Sequence, residues 1–95
     1  MKSYKLLIEG RNFLLHFEGR TQKMGFYTTV LVQANDYQDA KRKALELVLR
    51  HNDLSLQALN PLDDPPEIDV KDTEEIDLAE DIKDQTTGFS FYIED

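Results

Sequence analysis

Between Asp63 and Asp84 the chain places eleven acidic residues, enough carboxylate oxygen to consider calcium or magnesium ligation. An EF-hand loop needs alternating Asp or Asn ligands and a Gly at its sharp turn, and no window here has that order. The run is therefore read as a solvated acidic segment that keeps the protein soluble and offers a polyanionic surface to a basic partner. Within it Asp77, Glu80, Asp81 and Asp84 are the candidate interaction residues. His16 and His51 are the two histidines. His51 falls at the end of a predicted helix, where an imidazolium would meet free carbonyls; His16 lies on the strand face opposite Phe13, Leu15 and Phe17 and reads as exposed. A Ser or Thr nucleophile needs an activating base beside it, and no nucleophile-elbow pattern occurs. The chain has no cysteine, hence no thiol nucleophile, thiolate metal site or disulfide framework. Arg11, Arg20, Lys23 and Lys41-Arg42-Lys43 could contact phosphate, but no glycine-rich loop, RNA-recognition or helix-turn-helix pattern accompanies them. Tyr27, Thr29, Leu31 and Tyr92 remain. Hydroxyls over an apolar floor can orient a small ligand or face a partner, although Tyr and Thr are also what a plain sheet favours.

These residues must be held by one small fold, because 95 residues leave no room for a second core. Hydrophobic content of 40% argues for a folded chain and 32% charged residues for a well-solvated surface. The charge is unevenly divided. Residues 1–52 hold nine Lys and Arg against five acidic residues, whereas residues 53–95 hold two against fourteen. Such a split suggests that the halves attract one another within the fold or across a dimer, with Arg20, Lys23 and Lys41 to Arg50 as the expected counterparts of the surplus carboxylates. A dimer held in this way would dissociate as salt is raised. With a net charge of −8, phosphate backbones and anionic lipids are repelled, so neither nucleic acid nor membrane is an expected partner. No run approaches the ~20 apolar residues of a membrane span, and Leu6-Leu7-Ile8 is too short for a signal-peptide core, so a cytoplasmic location is expected.

Periodicity supplies the elements. Tyr4, Leu6 and Ile8 alternate as a strand, Gly10-Arg11-Asn12 reads as a turn, and Phe13, Leu15 and Phe17 resume the alternation on a second strand. Glu18 to Met24 reads as a loop. From Gly25 a third strand puts Phe26, Thr28, Val30, Val32 and Ala34 on one face and Tyr27, Thr29, Leu31 and Gln33 on the other. The period then changes. Asn35 with Gln38 suggests a capping box, and Tyr37, Ala40, Ala44, Leu47 and Val48 form an apolar stripe on a helix over about 36–51, whose alanines allow close approach to a sheet. Residues 54–59 are readable as strand or helix, and the prolines at 61, 65 and 66 break the chain. Ile68 and Val70 begin another strand that runs on through Ile76, residues 77–88 form a flexible acidic segment or frayed helix, and Phe89, Phe91 and Ile93 alternate as a last strand.

Gly25-Phe26-Tyr27-Thr28-Thr29, the Ala34-Asn35 entry to a helix with Ala40 and Ala44, Asp64-Pro65-Pro66 and the closing Gly88-Phe89-Ser90-Phe91-Tyr92 together resemble a group of small bacterial proteins to which no activity is assigned. The resemblance implies a compact bacterial domain and no particular chemistry. More loosely the chain is similar to antitoxins of the HicB type, which also run three strands into an alanine-rich helix; their Pro-Asp-Leu-x-Gly-Cys turn has no counterpart here.

The expectation is a single α+β domain, a two-layer sandwich with one main helix on one face of a mostly antiparallel sheet of four to five strands. The opposite face, with Tyr27, Thr29, Leu31, Leu7, Leu14 and Tyr92, is expected to be a contact surface. No catalytic, cofactor-binding or metal-ligating residue is assigned and no cofactor is expected. The expected function is non-enzymatic binding or regulation, through a protein partner or a homodimer. The alternatives are a small-ligand binder or minor enzyme at the Tyr27, Thr29 and His16 face, or an antitoxin-like partner-binding protein.

Overall fold

The computed structural model describes residues 1–50, 60–77 and 84–94. Its centre is a long antiparallel hairpin of β1 (Lys2–Phe17) and β2 (Arg20–Ala34). The reversal takes only two residues, Glu18 at φ 51° and Gly19 at φ 81°. Two consecutive left-handed residues give the tight turn whose twist matches that of paired strands. The loop expected over 18–24 is thus confined to Glu18 and Gly19, and Arg20 to Met24 are strand.

The turn expected at Gly10-Arg11-Asn12 does not reverse the chain either. Gly10 stands opposite Phe26 and Phe13 opposite Met24, so Arg11 and Asn12 together face Gly25 alone. This is a β-bulge, with Asn12 in the left-handed region at φ 59°. One extra residue inverts the alternation: Tyr4, Leu6 and Ile8 point to the core before it, Phe13 and Leu15 after it. The two expected strands are one. Backbone groups that the bulge takes out of the ladder find other partners. Asn12 N donates to Glu94 Oε1 (3.0 Å), while the Asn60 amide accepts from Leu14 N (2.9 Å) and donates to Asn12 O (2.7 Å). Asn60 therefore does the work of a strand where the neighbouring strand has ended.

That neighbour is β3 (Glu67–Ile76), antiparallel to β1; β4 (Gln85–Ile93) pairs antiparallel with β2. The sheet order is β3-β1-β2-β4. The strand expected to run from Ile68 through Ile76 is β3. The acidic segment expected over 77–88 is shorter, because Gln85 to Gly88 are strand; residues 54–59 and 78–83 lie outside the described residues. In β4 Thr87 and Gly88 face Thr29, a second bulge with Gly88 at φ 108°. The Thr28 hydroxyl, buried on the core face, donates to Gly88 O and contacts the Thr86 hydroxyl, both at 2.6 Å, and so ties this bulge to β2.

The helix α1 (Tyr37–Leu49) lies against one face of the sheet, which makes the protein a two-layer α+β sandwich. Its cap is Asp36, one residue past the expected Asn35: Asp36 Oδ1 accepts from Asp39 N (2.8 Å), and Asp39 Oδ2 accepts from Asn35 N (3.1 Å). Ala40, Ala44 and Val48 are buried in the core cluster with Tyr4, Leu6, Ile8, Val30 and Val32. At 1.5 Å per residue the helix is about 20 Å long, while the molecule extends 44 Å along its longest axis. It covers the end of the sheet near Tyr4, where Tyr37 meets the Tyr4 ring at 5.1 Å. Farther along, Phe26 gathers Phe13, Phe89 and Phe91 at ring separations of 5.0 to 5.9 Å. Gly10 makes room for this cluster, since a Cβ there would lie 1.9 Å from the Phe26 ring.

Ala44→Asp tests the helix face. An uncompensated carboxylate between helix and sheet is expected to cost about 3–5 kcal/mol. Thermal or urea denaturation would register this as loss of most of the cooperative transition, and an unchanged midpoint would place Ala44 outside the core.

Candidate functional site

The sheet face away from α1 is where the candidate side chains Tyr27, Thr29, Leu31 and Tyr92 emerge, with Leu7 beside them. At its centre is a residue that the periodicity treats only as a break in an apolar run. Glu9 is 8% exposed, one of two buried polar or charged residues of the described chain. Register puts Tyr27 directly opposite it on β2 and Asp69 opposite it on β3. Tyr92 reaches it from two strands away. Its ring crosses β2 over Gly25, where a Cβ would fall 2.3 Å from Tyr92 Cζ, and its hydroxyl donates to Glu9 Oε2 at 2.9 Å. The Tyr27 and Tyr92 rings lie 5.7 Å apart.

Cations close the other side. Lys71 stands 3.4 Å from Glu9 Oε1, and Arg11 bonds Asp69 while lying 3.4 Å from Glu67. The second β-bulge partner of β1 accounts for Lys71: Leu7 pairs with Asp72 and Ile8 with Val70, so Lys71 is the additional residue of β3. All four strands thus contribute to one polar cluster. Hydrogen bonds from Tyr27 and then Tyr92 hold the Glu9 carboxyl below the usual carboxylate range against the opposing pull of burial, with Lys71 assisting. The phenols move the other way. Desolvation, and then the bond to Glu9, push Tyr92 up to about 12, and the bond to Glu9 raises Tyr27.

These shifts define the available chemistry. A carboxylate held below its ordinary range is a weaker base, and a phenol held protonated to about 12 is a weaker acid near neutrality. The groups are matched to one another and act as a tie across the sheet. Beside the cluster, Leu7, Tyr27, Thr29, Thr87 and Ser90 line a shallow open groove of about 310 Å³. Thr87 Oγ1 is engaged there, donating to Thr29 O at 3.1 Å. His16 does not join this face as a site residue: it is exposed beside the turn, opposite Thr21 and about 20 Å along β1 from Glu9. Among the described residues no group of three or more His, Asp or Glu side chains is placed to hold a metal ion.

The chain matches no family model, no curated protein and no solved structure. Assignment of the remaining candidates therefore rests on geometry. Asp77 is exposed just beyond β3, and Asp84 Oδ1 accepts from Gln33 N at 3.0 Å just before β4; Glu80 and Asp81 lie outside the described residues. Asp77 and Asp84 sit on opposite sides of the hairpin end, remote from Glu9. Among the described residues the basic and acidic halves meet at Arg11 and Lys2 rather than at Arg20, Lys23 or the helix cations. Arg11 pairs with Glu67 and Asp69, and Lys2 with Glu75 at 3.5 Å, across the β1–β3 seam. Arg42 instead binds Asp39 (2.7 Å) and Glu46 (3.0 Å) of its own helix, and Lys43 donates to Gln33 O (2.9 Å). No described helix is long and apolar enough to cross a membrane.

The Glu9 tie has a pH signature. A carboxyl whose folded pKa is depressed contributes stability that is present above its unfolded value, near 4.3, and lost as pH falls through the lower folded value. Tyr92 is the mirror case. Its contribution is complete below the unfolded value near 10 and lost as pH rises toward about 12. Phenolate absorbance at 295 nm should show a Tyr92 transition near 12 that vanishes in Tyr92→Phe and moves toward 10 in Glu9→Gln, and Glu9→Gln should also flatten the acid limb of stability. A Tyr92 transition that ignores Glu9→Gln would break the assignment.

Proposed function

We propose that this chain is a non-enzymatic interaction module that receives a strand of a partner protein along the edge of β4. The observation that carries this reading is the contrast between the two edges of the sheet. β3 is charged at Glu67, Asp69, Lys71, Asp72, Glu74 and Glu75 and is distorted by the bulge at Lys71, the devices by which an edge resists pairing. β4 carries no charged residue from Gln85 to Ile93. Among the described residues it has a strand neighbour on one side only, β2.

Backbone direction supports the same reading. Glu94 N donates to Lys23 O at 2.9 Å. Alternation along an antiparallel ladder then turns the N–H and C=O groups of Tyr92 toward β2 and those of Phe91 and Ile93 away from it. The side chains of Phe91 and Ile93 are 40% and 54% exposed, a large apolar surface at the rim of the sheet. Main-chain bonds would supply affinity to an added strand and these side chains its selectivity. The inward-matched Glu9 cluster gives the neighbouring face a holding role rather than a reactive one.

A photoreactive phenylalanine analogue at position 93, with one at the fully exposed Leu62 on the β3 side as control, tests the edge in cells. A discrete cross-linked product several-fold stronger from 93 than from 62 is expected. Equal yields, or none from 93, would refute the β4 reading.

A further inference from the structure

We infer that the strand received by β4 is the β4 of a second copy of this chain, running antiparallel, so that two four-stranded sheets become one of eight. The inference rests on the reading of β4 as an interaction edge and names its occupant. Charge selects it. Each copy carries −8, so most approaches of two copies bring carboxylates together. Self-pairing along β3 would align the strand of Glu67, Asp69, Asp72, Glu74 and Glu75 with itself. Self-pairing along β4 opposes neutral residues.

The outward backbone groups set the register. With the two-fold axis at Tyr92, Phe91 pairs with Ile93 of the second copy and Ile93 with its Phe91. Each pair exchanges two N–H···O=C bonds, four in all. Tyr92 faces its own counterpart on the side of the sheet away from the helix. Phe91 and Ile93, both half-exposed on the helix side, cover one another. Glu94 falls opposite Ser90 of the second copy, a neutral residue. The contact is isologous, and the charged β3 edges end the extended sheet, so association closes at two copies.

Salt separates this dimer from one held by charge pairs. Raising ionic strength from 10 to 150 mM shortens the screening length from about 30 to about 8 Å and weakens repulsion between the two −8 bodies, so self-association should tighten. A dimer held by attraction between basic and acidic halves would loosen instead.

Sedimentation equilibrium of the purified chain tests the inference, with Ser90→Glu and Ser90→Lys as exposed variants that leave the core untouched. The wild type should show a monomer–dimer equilibrium whose Kd falls on going from 10 to 150 mM salt. Ser90→Glu, opposite Glu94 twice by symmetry, should weaken it roughly threefold to tenfold, while Ser90→Lys should tighten it. A chain that stays monomeric to several hundred micromolar at both salts overturns the inference, as does a dimer that loosens with salt or is indifferent to the sign at position 90. The underlying reading has its own arm. A position-93 cross-link to a different protein, with only monomer in the centrifuge, overturns self-pairing and leaves the edge as a partner site; no cross-link and no dimer overturns both.

Discussion

The structure depends on the parity of β1. Sixteen residues in one strand can bury an apolar face only if every second side chain points the same way, yet the buried apolar residues of this strand are even-numbered through Ile8 and odd-numbered from Phe13. A regular strand would turn Phe13 and Leu15 to the outer face. The bulge at Arg11 and Asn12 inserts the one residue that restores the phase, and it does so where the chain tolerates it: Asn12 takes the left-handed conformation, Gly10 clears the Phe26 ring, and the opposing residue is Gly25. β2 needs no such correction, since Met24, Phe26, Thr28, Val30, Val32 and Ala34 keep one parity throughout.

The same bulge shapes the outer face. It turns Arg11 toward β3, where it meets Glu67 and Asp69, and it leaves the Asn12 amide to be taken by Glu94 from the far side of β2. Gly25, opposite the bulge, opens the floor over which Tyr92 reaches Glu9. No second layer is described on this face. A sheet covered by a 13-residue helix on one side gains from ties on the other, and the bond linking Tyr92 to Glu9, with Tyr27 opposite Glu9 and Lys71 and Arg11 beyond, runs across the strand order instead of along it. The Tyr92 hydroxyl and the Lys71 ammonium together account for the burial of this carboxylate.

Faces and elements were legible in the residues, and neighbours were not. Period-two alternation assigns Tyr27, Thr29 and Tyr92 to the outer face and Phe26, Val30 and Val32 to the core, and the 3.6-residue stripe puts Ala40 and Ala44 at the sheet, all as found. The switch of parity between Ile8 and Phe13 was also visible, but a turn and a bulge both explain it, and only long-range pairing distinguishes them. Glu9 was missed because its partners are 18, 62 and 83 residues away and depend on strand order and on two bulges. A Glu directly after the apolar run Leu6-Leu7-Ile8, together with Gly25 and Tyr92, is the signal that could have marked it. The charge split was a sound indication that the halves meet, and among the described residues they do so at Arg11 and Lys2, which lie in a strand whose register leaves β3 as its neighbour, while Arg42 has i,i+3 and i,i+4 carboxylates nearer to hand.

How the acidic surplus is spread also distinguishes the two edges of the sheet. Carboxylates on β3 make that edge repel any acidic strand, and the Lys71 bulge bends it away from a flat template. β4 lacks both kinds of protection over Phe89 to Ile93, but the bulge at Thr87 and Gly88, tied down by Thr28, cuts the regular stretch short at its other end. What remains is about five residues, long enough for a few main-chain bonds and two apolar anchors and too short for the extended stacking of a fibril. Losing the Thr28 hydroxyl would remove the fastening that shortens this edge. Thr28 is thus a buried polar residue whose hydroxyl fastens the bulge that ends the regular stretch of β4.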